Sequence, residues 1–121
     1  GITFETCVYL YDNTLVGSVG IVGFDNTNET IELGYWIAEE FWKNGIGTQA
    51  VSLLVNFSFK ALKANRIIVK CNSLNISSRK LAEKVGFTLD GILRNHAKIN
   101  GQYINKCFYS LLRSDWNCLT E

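Results

Sequence analysis

The clearest chemical potential lies in the run Gly34-Tyr-Trp-Ile-Ala-Glu-Glu-Phe-Trp-Lys-Asn-Gly-Ile-Gly-Thr-Gln-Ala50. An aromatic strand feeds a short polar loop, and Gly45 and Gly47 then open a long amphipathic helix. The first N–H groups of a helix have no intrahelical partners and sit at the positive end of its dipole, so such a junction suits an anion. Glycine at 45 and 47 lets an anion such as a pyrophosphate approach the backbone closely. On their own, two glycines favour the plainer reading, a helix start with no ligand. The run is neither a Walker loop, which needs Gly-Lys-Ser/Thr, nor a Rossmann fingerprint, which needs a third glycine. His96, the only histidine, lies in what reads as a polar loop, Arg94-Asn95-His96-Ala97-Lys98, where plain exposure outweighs a role as a base. Cys7, Cys71, Cys107 and Cys118 form no Cys-x-x-Cys pair, so no metal site is expected; they read as buried thiols of a reducing, cytoplasmic setting.

The elements that must position these residues follow from pattern. With 121 residues, 47% hydrophobic and 19% charged, the chain is expected to be one domain, 1–121, with a substantial core. A net charge of +1 argues against nucleic acid, and no apolar run is long enough to span a membrane. The chain begins at Gly1 without methionine, which suggests a processed form or a fragment. Residues 7–12 and 15–23 read as a β-hairpin, 24–29 as a loop and Thr30–Ile37 as a third strand. Gly45–Lys63 reads as the main helix, with Ile46, Ala50, Leu53, Leu54, Phe57, Ala61 and Leu62 on one side and Val51, Val55 and Phe59 on a second. Arg66–Cys71 is a strand. Asn75–Val85 is a helix with Ile76, Leu81, Ala82 and Val85 inward, ended by Gly86. Phe87–Leu93 and Tyr103–Leu112 form a late hairpin turning at Asn100-Gly101 and closing the sheet. The order β-β-β-α-β-α-β-β is α+β, a mixed and mostly antiparallel sheet flanked by helices.

Several motifs resemble the GNAT superfamily of acetyl-CoA-dependent acyltransferases. The loop Lys43-Asn44-Gly45-Ile46-Gly47-Thr48 is similar to that family's pyrophosphate loop, with Trp42 where Gln or Arg is usual. Asn75-Ile-Ser-Ser78-Arg79, Leu81, Glu83-Lys84-Val-Gly86-Phe87 and Asp90-Gly91 resemble the tail of the RimJ/RimL branch, whose members acetylate N-terminal amines of ribosomal proteins. Gly34-Tyr35-Trp36, the Asn100-Gly101 hairpin with Tyr103, and Tyr109-Ser110-Leu111-Leu112 fit the same branch. The resemblance runs from about residue 7 to about residue 116. It implies the GNAT fold without the strand and helices that usually precede the hairpin and wall the acceptor groove.

The resemblance also implies roles. An amine must be neutral to attack a thioester, and Glu32 stands where many relatives carry the glutamate that deprotonates the acceptor; the plainer reading is a solvent-facing carboxylate. The backbone N–H near Ile37 would stabilise the developing oxyanion. Lys43, Asn44, Gly45, Ile46, Gly47 and Thr48 would hold the acetyl-CoA phosphates. Asn75 would bond the pantetheine amide or simply cap its helix. The family's usual acid, a tyrosine, is replaced by Ala82, so Ser78 is the substitute, as donor to the departing thiolate or as helix-start polarity. Ala97 stands where the branch sometimes places a catalytic glutamate. The implied activity is acetyl transfer from acetyl-CoA to a primary amine, foremost a protein N-terminus such as that of a ribosomal protein. Alternatives are a small amine (a polyamine, amino acid or antibiotic) or a non-catalytic acyl-CoA-binding module. A homodimer is a further expectation, through late strands or an exposed sheet edge.

Overall fold

The computed structural model describes residues 4–11, 14–37 and 45–120, with side chains described for 17–36 and 45–117. The elements in chain order are β1 (Phe4–Tyr11), β2 (Thr14–Asp25), β3 (Thr30–Ile37), α1 (Ile46–Lys60), β4 (Arg66–Asn72), α2 (Ile76–Val85), β5 (Thr88–Ile99), β6 (Gln102–Leu112) and α3 (Arg113–Thr120). The six strands form one sheet in the order β1-β2-β3-β4-β6-β5. β1, β2 and β3 pair antiparallel, as do β4, β6 and β5. The two groups meet at one parallel ladder, Thr30↔Arg66 to Leu33↔Val69.

Sequence explains most boundaries. Thr30–Ile37 alternates, so Ile31 and Leu33 are buried while Glu32 and Trp36 keep contact with solvent. Asn75 caps α2 by accepting the N–H of Ser78 at 3.2 Å, and Gly86 ends it in the left-handed region at φ 116°. Asn100 and Gly101, both at positive φ, make the tight turn between β5 and β6. α1 and α2 lie together against one face of the sheet, where Val51, Phe59 and Ala82 meet Leu33, Val69 and Tyr109 in one core.

Five expectations are corrected, among them Ile76 of α2, expected inward and 54% exposed. α1 stops at Lys60 rather than Lys63, which takes a left-handed φ of 60° in the turn before β4. Its core face is carried by Val51, Leu54, Val55 and Phe59, while Leu53 is 71% exposed and Phe57 49%. Arg94–Lys98 belongs to β5 rather than to a loop, with an irregularity between Leu93 and Ala97. β6 sits inside the sheet between β4 and β5, so β5 forms the edge. α3 has no counterpart in the pattern; it docks by Trp116, stacked 5.1 Å from the Phe59 ring and donating Nε1–H to Asn56 Oδ1 at 2.7 Å.

Candidate active site

β3 and β4 run parallel and part early. Their pairing ends at Leu33↔Val69, yet β3 continues to Ile37 and β4 to Asn72, each still paired on its other side. The result is a wedge at the carboxyl ends of the two parallel strands, a usual place for a ligand in sheets with such crossovers. α1 follows β3 and α2 follows β4, so both helices begin at this end. Tyr35 spans it: its hydroxyl donates to the Ser78 carbonyl at 2.8 Å, tying the splayed part of β3 to the first turn of α2. Burial raises the Tyr35 phenol well above its ordinary pKa, with Cys71 and Tyr109 adding to the shift, so it stays a neutral donor. Sequence reasoning used Tyr35 only within Gly34-Tyr35-Trp36 and missed this bridge, which only the fold reveals.

The start of α1 is built for close approach. Gly45 is its N-cap at φ 82°, no side chain caps the helix, and no acidic residue lies in its first turn. A β-carbon at Gly45 would touch nothing within 4 Å, so the conformation, not crowding, demands glycine. Gly47 is buried; Ile46 and Thr48 are half-buried beside it. Lys43 and Asn44 lie outside the described residues, as does the Ile37 side chain.

At α2 the Asn75 carboxamide oxygen is committed to the cap, accepting also from the Ser77 hydroxyl at 3.0 Å. Its amide nitrogen is the group left to donate to a ligand carbonyl. Ser78 is half-buried, with its N–H and carbonyl both engaged and its hydroxyl without a protein partner among the described residues. Ala82 is fully buried, so the place of the usual tyrosine is core. α2 is held to the sheet by Tyr109, whose hydroxyl donates to Glu83 at 2.8 Å and accepts from Arg79 Nε at 3.2 Å.

Glu32 projects from the opposite face of the sheet. Its Oε1 lies 3.3 Å from Lys70 Nζ, both side chains being partly exposed. His96 packs edge-on against Phe108, 5.2 Å between ring centres. The structure thus ties Ser78 to the splayed part of β3, begins the helices that carry Gly45–Thr48 and Asn75 after the two parallel strands, and places Glu32 on the sheet's other face.

Cys71, two residues past the end of the β3–β4 pairing and near Tyr35, is half-buried; burial and the neighbouring Cys107 push its thiol up to about 11. Alkylation of Cys71 by iodoacetamide at pH 8, followed by peptide mapping, is therefore expected to run about a hundredfold slower than that of a free thiol. The rate should climb until about pH 11. A plateau near pH 9 would contradict the buried placement.

Residues 2–88 match the acetyltransferase (GNAT) domain family. The chain belongs to the GNAT family. It is 36% identical over 107 residues to the putative ribosomal N-acetyltransferase YdaF of Bacillus subtilis, covering 88% of this chain and 58% of that protein. It is 27% identical to the spermidine N(1)-acetyltransferase of Escherichia coli, covering 78% of this chain and 50% of that one. Among solved structures, a probable acetyltransferase superposes with a TM-score of 0.82 at 36% identity, over 88% of this chain and 59% of the other. RimL, a ribosomal L7/L12 α-N-protein acetyltransferase solved in complex with coenzyme A, superposes with a TM-score of 0.76 at 26% identity, over 83% and 56%. This GNAT chain thus spans less than two thirds of the length of these relatives. Among its described residues no group of His, Cys, Asp and Glu could hold a metal ion, and no helix is long and apolar enough to cross a membrane.

Proposed function

We propose that this chain transfers an acetyl group from acetyl-CoA to a primary amine, with the N-terminal amine of a protein as acceptor. The observation that carries the reading is the wedge: two parallel strands part after Leu33↔Val69 at the end where two helices begin. One of those helices starts on a glycine with no side-chain cap. RimL, of similar fold, was solved with coenzyme A, which supports the same ligand here.

In this reading the N–H groups of Ile46, Gly47 and Thr48 after Gly45 face the pyrophosphate, with Lys43 and Asn44 beside it. The Asn75 amide nitrogen donates to the pantetheine arm. The Ile37 N–H, at the end of β3, donates to the carbonyl oxygen as negative charge develops there. Glu32 takes the proton of the incoming ammonium, directly or through water. Ser78 gives its hydroxyl hydrogen bond to the departing sulfur. A hydroxyl is a weak acid, so Ser78 contributes a hydrogen bond more than a full proton transfer.

A protein N-terminus is favoured as acceptor because YdaF, named for ribosomal acetylation, is 36% identical, against 27% for the relative named for spermidine. Calorimetry with acetyl-CoA, alongside desulfo-CoA and adenosine bisphosphate, tests the donor half. Saturable acetyl-CoA binding is expected, with weaker binding of the bisphosphate alone. A folded sample that binds none of the three would overturn the reading. Mass-spectrometric acetylation of Ser- and Ala-starting peptides against spermidine then tests the acceptor half.

A further inference from the structure

The face of the sheet turned away from α1 and α2 carries a chain of contacts that runs from Glu32 to side chains with no part in the proposed transfer. Glu32 pairs with Lys70; the Lys70 ammonium lies 5.2 Å from the centre of the Phe108 ring; His96 abuts the same ring. The placement follows from the wedge. Lys70 is the first residue of β4 beyond the ladder, where continued register would set it beside Gly34. Gly34 offers no side chain, and none would fit there: a β-carbon would come within 2.9 Å of Val22 Cγ1. The Lys70 side chain lies back over Glu32 instead.

Charge near this pair is lopsided among the described residues. Lys106 lies two residues from Phe108 on β6, on the same face and opposite Leu93 of β5, and Arg94 follows Leu93. The carboxylate of β5, Asp90, is taken up by Arg66 at the far end of β4, 3.2 Å away. Glu83 faces Tyr109 on the helical side. Among the described residues at this end, Glu32 is the acid beside the cations Lys70 and Lys106.

We propose that Lys70 is a specificity-determining residue for the acceptor: it selects primary amines whose neighbouring groups are neutral or anionic and disfavours polycations. The inference rests on the reading that Glu32 meets the acceptor amine. An ammonium arriving at Glu32 finds a carboxylate already paired. It loses its own positive charge when Glu32 takes the proton, so it is tolerated. A second, permanent cation a few ångströms away has no such exit and is repelled by Lys70 and Lys106. An acidic second or third residue on a peptide acceptor is attracted by the same groups. A protein N-terminus followed by Asp or Glu fits; spermidine does not.

The test is kcat/KM for four acceptors, Ser-Asp-Glu, Ser-Ala-Ala and Ser-Lys-Lys peptides and spermidine, with the chain itself and with Lys70→Met, Lys70→Arg and Glu32→Gln. The Met variant keeps an apolar stem against Phe108 and removes the charge; the Arg variant keeps the charge. The chain is expected to prefer the acidic peptide to the basic one by about tenfold, a modest factor because the pair is partly solvated. Lys70→Met should bring the ratio near one and Lys70→Arg should keep it. Equal use of acidic and basic peptides overturns the proposal, as does a Lys70→Met loss shared equally by all acceptors, the mark of a structural role. If Glu32→Gln abolishes transfer while the ratio is one, only the proposal falls. If Glu32→Gln leaves transfer intact, or no acceptor is acetylated at all, the catalytic reading falls and takes the proposal with it.

Discussion

Glu32→Gln is expected to lower kcat for acetyl transfer about a hundredfold and to leave acetyl-CoA affinity within about twofold. The substitution preserves shape, and the new amide oxygen can still accept from Lys70 Nζ, 3.3 Å from the carboxylate it replaces. It removes only the ability to take a proton, so the loss should appear in kcat and shrink as pH rises and more acceptor amine is already neutral. Affinity for the donor should hold because Glu32 faces the sheet surface opposite α1 and α2, whose first turns are the proposed seat of the donor's phosphates. Steady-state kinetics across pH 6–9 with calorimetry on the same protein decides it. An unchanged kcat would remove Glu32 as the base.

The second large effect is on stability. Arg113→Ala is expected to cost about 2–4 kcal/mol. The first residue of α3 reaches back to the end of α1: one guanidinium nitrogen donates to the carbonyls of Phe59 at 2.6 Å and Ala64 at 2.7 Å, and Nε donates to Ala64 at 3.0 Å. The same group lies 5.5 Å from the centre of the Phe59 ring. These carbonyls sit at and just beyond a helix C-terminus, where partners are otherwise missing and a cation is favoured. Losing the donor leaves them half-buried and unsatisfied. For a domain of this size the melting temperature should fall by about 10 °C. Arg113→Lys should recover only part, since one ammonium cannot reproduce the fork. A melting temperature within about 2 °C of the parent would contradict this account. α1 has 15 residues, about 22 Å end to end, so donor binding at its other end should persist below the transition.

Much of this architecture was legible because local chemistry marked its own limits. β3 was read at its observed bounds, since Thr30–Ile37 alternates between two flanks of turn and loop residues. α2 was framed by Asn75 and Gly86, whose capping roles need no tertiary information. The family followed from Gly45, Gly47, Asn75 and Ser78 standing in the right order. The misreadings fall where tertiary context overrides pattern. Arg94–Lys98 looked like a loop because an edge strand meets water and needs no apolar alternation. Leu53 and Phe57 looked inward because hydrophobicity marks a helical stripe without saying which side the sheet covers. α3 left no trace because among its described side chains only Trp116 is buried. The Glu32–Lys70 pair was invisible because it depends on a parallel register between segments joined through a whole helix. The roles of individual site residues came from the resemblance; geometry adds the Tyr35 bridge and the commitment of the Asn75 oxygen.

The single parallel ladder also bears on how the molecule assembles and comes apart. Two antiparallel groups can each form from hairpins close in sequence, β1–β2–β3 on one side and β5–β6 with β4 on the other. Their seam spans four residue pairs and requires the α1 crossover to be in place, so it is expected to form late and to open first. A molecule lying in the wedge would act as a clasp across that line. Occupancy would then lengthen the lifetime of the whole fold, and protection from proteolysis would report on the same seam.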